Sequence, residues 1–143
     1  IEDMYEIRLK LEGLAAKRAA QNITSSQLDS LKESIDLLEF YITKGNNGKM
    51  GDSDSMFHEI IYHASGSRPL QNVLAPLHTY IMGTRRKAFA IEGRRSCVLA
   101  EHRAIYEAIA ARDADLAQQR AFEHIKNATQ IYYQLRGDEF DLQ

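Results

Sequence analysis

Apolar residues recur every three and four positions along most of this chain, and no segment alternates long enough to read as a strand, so the pattern commits the sequence to α-helices. The two prolines fall at positions 69 and 76, which leaves long stretches free of the residue that most strongly ends a helix. Met4, Ile7, Leu11, Leu14 and Ala15 mark a first amphipathic helix from Ile1 to about Asn22. Thr24, Ser25 and Ser26 offer N-caps for a second, whose stripe of Leu28, Leu31, Ile35, Leu38 and Ile42 should end by Gly45. Beyond the breaker cluster Gly45-Asn46-Asn47-Gly48, a third helix is expected to start near Asp52 to Asp54 and to run to Ala64. Pro69 suits the first turn of a fourth, with Leu70, Val73, Leu77 and Ile81 inward and Pro76 as a kink. A fifth, after Glu92-Gly93, carries Val98, His102, Ile105 and Ile109; a sixth, after Asp113, carries Ala117, Ala121, His124, Ala128, Ile131 and Leu135. The predicted fold is all-α, a single domain over residues 1–143 built as an antiparallel bundle of about six helices, with a polar tail from about 137 to 143.

Bulk properties exclude several functions. A formal charge of −2 and a pI near 6.2 give this segment no general attraction for nucleic acid. Cys97 stands alone, which excludes an internal disulfide and a multi-cysteine zinc site and fits the reducing cytoplasm, where the chain is expected to reside. No apolar run approaches the roughly 20 residues of a membrane span, and the N-terminus lacks a basic region followed by an apolar one.

Histidines and one aspartate interrupt the apolar faces. Asp54 and His58 are four apart, so on a helix they project from one face one turn apart, and Ile61 continues that face inward. His102 interrupts the stripe of the fifth helix and His124 that of the sixth. Taken singly, each histidine reads as a hydrogen-bonded core residue and the aspartate as a helix cap. Together they supply a nearly complete first shell for Zn²⁺, Ni²⁺ or Mn²⁺, and a divalent cation satisfies a buried carboxylate and imidazoles at once. His63, five residues past His58, reads as a surface residue, whereas His78 lies between Leu74 and Ile81 on a face shared with Arg85, where it either lines a cavity or serves the structure. Arg8 sits among Met4, Leu11 and Ala15; it faces an anion, or it snorkels at the stripe edge or pairs with Glu12. Arg85, Arg86, Lys87, Arg94 and Arg95 form the most basic stretch, ordinarily a solvated helix end, from which Arg85 or Arg86 directed inward would hold an acid with paired hydrogen bonds.

These residues resemble a known family, the FCD domain, the effector-binding C-terminal domain of GntR-type transcription regulators of the FadR branch. The resemblance runs from about Met4 to Ala128: the opening Tyr5-Glu6-Ile7-Arg8-Leu9-Lys10-Leu11-Glu12, then Asp54-Ser55-Met56-Phe57-His58 with Ala64-Ser65-Gly66, then Glu101-His102-Arg103-Ala104-Ile105 with Arg112-Asp113, and finally His124-Ile125. Ser67 departs from the pattern, which usually has asparagine there. The resemblance implies that Asp54, His58, His102 and His124 ligate a divalent metal, zinc ahead of nickel or manganese. It implies an open coordination position facing a cavity for a small organic acid, with Arg8 nearby, whereas the basic cluster near Arg85 lies in the region that varies with ligand and its role does not carry over, so His78, Arg85 and Arg86 stand as candidate ligand contacts on the residue pattern alone. It also implies a homodimer that meets DNA through a separate N-terminal winged helix-turn-helix, expected outside this chain, and no enzymatic activity. A mononuclear metal-dependent enzyme acting on a small carboxylic acid is the alternative, since imidazoles and a carboxylate with open sites also activate water.

Overall fold

The computed structural model of the chain describes residues 1–137, and the side chains of these except Thr84 and Arg85. Six helices are present among the described residues, and no strand: α1 (Glu2–Asn22), α2 (Ser25–Lys44), α3 (Asn47–Ala64), α4 (Arg68–Ala88), α5 (Arg94–Ala110) and α6 (Ala114–Arg136). The expected polar tail lies, from 138 onward, outside the described residues. No helix among them is long and apolar enough to cross a membrane.

Capping chemistry sets most boundaries. Thr24 and Gln27 form a reciprocal capping box at the start of α2, and Gly45 ends that helix in the left-handed conformation at φ 68°, which a side chain would resist. Asp113 caps α6 by accepting from the Leu116 N–H at 3.1 Å. The third helix begins earlier than its sequence suggested. Asn46 accepts from the Lys49 N–H at 3.1 Å, so α3 starts at Asn47, with Gly48 in a first turn whose N–H groups have no intrahelical acceptor to lose. Asp54 therefore lies two turns inside α3, and capping does not account for its burial. α4 runs through Pro76 without interruption.

α1 packs most closely along α6, and α2 on α3, α5 on α6 and α3 on α4 complete the bundle. The main core joins Ala15, Ala16, Ala19 and Ala20 of α1 to Leu31 and Ile35 of α2, Phe57 and Ile61 of α3, Ile105 and Ile109 of α5, and Ala117 and Ala121 of α6. Small residues let α1 and α6 approach: a Cβ on Gly13 would lie 3.0 Å from the Gln118 carbonyl oxygen. The inward face of α1 is about one residue round from the predicted stripe, since Ile7 is exposed and the buried side chains are Tyr5, Arg8, Leu9, Glu12 and the alanines. Apolar periodicity cannot register a face that carries a buried ion pair. Likewise Val73 and Leu135 are exposed, while Leu74 and His78 of α4 turn inward.

Gly13→Val is expected to lower the unfolding free energy by about 1–3 kcal/mol in urea denaturation, because the added carbons meet backbone of α6 that cannot swing away.

Candidate metal centre

Three helices bring their histidines to one buried point. On α3, Asp54 is fully buried and His58 is 2% exposed; His102 on α5 is 0% and His124 on α6 is 1% exposed. One donor atom from each of the four lies within 4.8 Å of every other. Asp54 Oδ1 stands 3.3 Å from His102 Nε2 and 3.8 Å from His58 Nε2, and His58 Nε2 stands 3.4 Å from His124 Nε2. Two donors each about 2.1 Å from a common ion are at most roughly 4.2 Å apart, so these separations suit a shared divalent cation after shifts of a few tenths of an ångström. The bland alternative, four independently hydrogen-bonded core residues, does not explain why three imidazoles converge on one carboxylate.

Two further carboxylates orient the imidazoles. Glu101 Oε2 lies 2.5 Å from His124 Nδ1, while Asn127 Nδ2 donates to Glu101 Oε1 at 2.8 Å and Arg94 grips both oxygens at 2.9 and 3.3 Å. Burial pushes the Glu101 pKa up, but the His124 hydrogen bond and the charges of His124 and Arg94 outweigh it and hold the carboxyl at about 2. Burial drives His124 down to about 3, aided by His102 and His58 against the pull of Glu101, so its ring is neutral at neutral pH, as a metal ligand must be. On the opposite side, Glu12 accepts from Arg8 Nε at 2.9 Å and from the Tyr62 hydroxyl at 2.6 Å, with Oε2 3.9 Å from His58 Nδ1. Burial raises the Glu12 pKa, yet Arg8 and the donors from His58 and Tyr62 bring it below the ordinary carboxylate range. The His102 ring stacks on Phe57 with centroids 3.9 Å apart and planes 7° from parallel. Carboxylate-held imidazoles of this kind are the usual outer layer of a protein metal site.

Arg8 is fully buried, which excludes the snorkelling reading. Its Nε is committed to Glu12, and Nη1 and Nη2 are buried with no hydrogen-bond partner. Burial pulls its pKa down, but Glu12, Tyr62 and Asp54 together outweigh it and raise it above the ordinary arginine value, so the guanidinium stays charged. His78, 1% exposed, flanks the centre, with Nε2 3.1 Å from Ser55 Oγ and 3.9 Å from Asp54 Oδ2. His63 is exposed, as its spacing indicated. Arg86 is exposed, with its side chain beside Gly51 of α3. The side chain of Arg85 lies outside the described residues.

Residues 3–127 match the FCD domain family over nearly the whole chain. The chain belongs to the FCD domain family. It is 25% identical over 128 residues to the HTH-type transcriptional regulator YdhC of Bacillus subtilis, covering 89% of this chain and 57% of the relative. It is 25% identical over 130 residues to the galactonate operon transcriptional repressor of Escherichia coli, covering 90% of this chain and 56% of that protein. The solved GntR structure of Streptococcus agalactiae superposes with a TM-score of 0.78 at 26% identity, covering 89% of this chain and 56% of that one. The chain thus spans little more than half the length of the curated relatives it matches. The FCD domain is a regulatory domain of GntR-type transcription regulators, and the relatives carry regulators' names, not enzymes'.

The Arg8–Glu12 pair is one of the readings that the sequence offered, while the roles of Tyr62, Arg94 and Asn127 in this FCD domain escaped sequence reasoning. Spacing held part of the signal, since Glu12 follows Arg8 by four residues, Glu101 follows Arg94 by seven and Asn127 follows His124 by three. Tyr62, 50 residues from Glu12, left none.

Arg8→Met should cost about 3–5 kcal/mol in urea unfolding, because it leaves the Glu12 carboxylate buried without its counter-charge. In the double variant Arg8→Met, Glu12→Gln, which keeps an acceptor for Tyr62, at least half of that loss should be recovered.

Proposed function

We propose that this FCD domain is the effector-sensing part of a GntR-type transcription regulator, in which Asp54, His58, His102 and His124 hold a divalent ion and a small organic acid binds beside it. Zinc is the first choice for three imidazoles and a carboxylate, with nickel and manganese as alternatives. When bound, the ion offers open coordination positions to a carboxylate oxygen. The observation that carries the acid is Arg8: its two terminal guanidinium nitrogens are both buried and without partners, on a side chain whose Nε holds Glu12, the carboxylate whose other oxygen lies 3.9 Å from His58 Nδ1. Leaving such donors unmatched is costly, and a carboxylate accepts two parallel hydrogen bonds from them. The galactonate operon repressor, named for a hydroxy acid, is in keeping with that ligand class.

His78 lines the same site from α4 and contributes a further polar contact. Glu12 and Glu101 are each engaged with imidazoles and with other donors, so neither is free to act as a general base, which favours a sensor over a metal-dependent hydrolase. The metal ligands and Arg8 are almost wholly buried, so acid enters through a more open arrangement of the helices, and it shifts populations in proportion to its preference between open and closed forms. In the full regulator this bias passes through a homodimer to winged helix-turn-helix domains that touch DNA, since the domain itself, at a net charge of −2, is a poor match for a polyanion.

Thermal-shift measurement on zinc-loaded protein tests the reading. An acid of the right shape at a hundred times its Kd stabilises by about 2.7 kcal/mol and raises Tm by roughly 5–10 °C. Chelator-stripped protein should melt lower and lose most of the response, and Arg8→Lys, which keeps a charge beside Glu12 but not the fork, should bind zinc yet respond weakly. Equal stabilisation of stripped and loaded protein by the same acid contradicts the proposal.

A further inference from the structure

The first turn of α5 carries an arginine that the sensing reading leaves unused. Arg94, only 7% exposed, lays its guanidinium across Glu101, with Nη1 2.9 Å from Oε1 and Nη2 3.3 Å from Oε2. Seven residues are two helical turns, so both side chains rise from one face of α5. Asn127, on the turn of α6 after His124, supplies the next donor to Oε1 at 2.8 Å. Both carboxylate oxygens of Glu101 are therefore occupied, and the group is left with one orientation toward His124.

That orientation has a chemical consequence. An ionised carboxylate only accepts hydrogen bonds, so the proton of the neutral imidazole sits on Nδ1, 2.5 Å from Glu101 Oε2. The Nε2 lone pair is then aimed at the cluster, toward His58 Nε2 at 3.4 Å. Without the fork Asn127 holds one oxygen, the carboxylate can turn, and His124 can take the tautomer whose Nε2 carries a proton and binds no ion. The base of the fork is itself fixed: Arg95 Nε donates to the Phe89 carbonyl at 2.6 Å and its Nη2 to Asn47 Oδ1 at 3.0 Å, pinning the turn to the α4–α5 connection and to the start of α3.

We infer that Arg94 is a positioning residue for the metal centre: it clamps Glu101 so that His124 is held in its ligating tautomer, and thereby sets the affinity for the ion. The inference rests on the metal reading above. Zinc affinity of stripped protein, measured by competition with a chromophoric chelator, should fall about 10–100-fold in Arg94→Met, with Arg94→Lys intermediate. Nitrogen-15 NMR at fixed neutral pH should show the His124 ring of the metal-free wild type as the Nδ1–H tautomer and that of Arg94→Met as a mixture. A purely structural role would lower the melting temperature of the metal-free protein and leave both readouts unchanged. If Arg94→Met does not fold, the tautomer and affinity of Arg94→Lys decide. Wild type that binds zinc while a folded variant binds it within twofold as tightly overturns this inference alone. Wild type that binds no zinc, nickel or manganese overturns the metal reading and this inference with it.

Discussion

Burying a carboxylate at the centre of a helical bundle is the constraint around which this domain is arranged. Asp54 is fully buried two turns inside α3, and a carboxylate there is stable only if positive charge and donors converge on it. The bundle answers with imidazoles from α3, α5 and α6 and with the guanidinium of Arg8 from α1. Each of these polar groups brings its own need for partners. Glu12 and Tyr62 complete one side, and Glu101, Arg94 and Asn127 the other. The polar network thus spans five residues' worth of outer contacts without opening the core to water, and it is expensive to leave any member half satisfied.

Packing serves the same end. The alanines of α1 and α6, with Gly13 against the Gln118 carbonyl, bring these two helices close enough for a side chain on α1 to reach the imidazole cluster. Phe57 fills the space behind His102 and fixes its ring by stacking. Satellite clusters close the two flanks: Leu38, Met50, Phe89 and Val98 on one, and Tyr5, Ile81 and Tyr132 on the other. Val98 lies one turn before His102 and Tyr5 nearly one turn before Arg8, so apolar packing abuts the polar centre on the same helices that build it.

Much of this was legible in the residues. Interruption of apolar stripes located Asp54, His58, His102 and His124, because a polar side chain recurring in phase with buried neighbours has nowhere to go but inward. Thr24 was one of three residues offered as the N-cap of the second helix and Asp113 marked the turn before the sixth, and the structure uses the side chains of both as caps. What failed, failed where a polar group substitutes for an apolar one. The inward face of α1 was read from Ile7 and its neighbours, while Arg8 and Glu12 occupy the buried position and Ile7 is exposed. Asn46 was grouped with a breaker cluster, although its side chain caps the helix that follows. Which of Arg85 and Arg86 faces inward was not legible, because a run of like charges carries no information about which member does. Tyr62 was out of reach, since the contact that gives it meaning is made across 50 residues of chain.

Absorption spectroscopy at the zinc edge of the metal-loaded domain addresses the central claim most directly, because it counts and identifies the atoms around the ion. The account requires a shell of nitrogen and oxygen donors at about 2.0–2.2 Å with scattering from three imidazoles. A sulfur neighbour near 2.3 Å, which only Cys97 or a methionine could supply, or a shell containing a single imidazole, would contradict it.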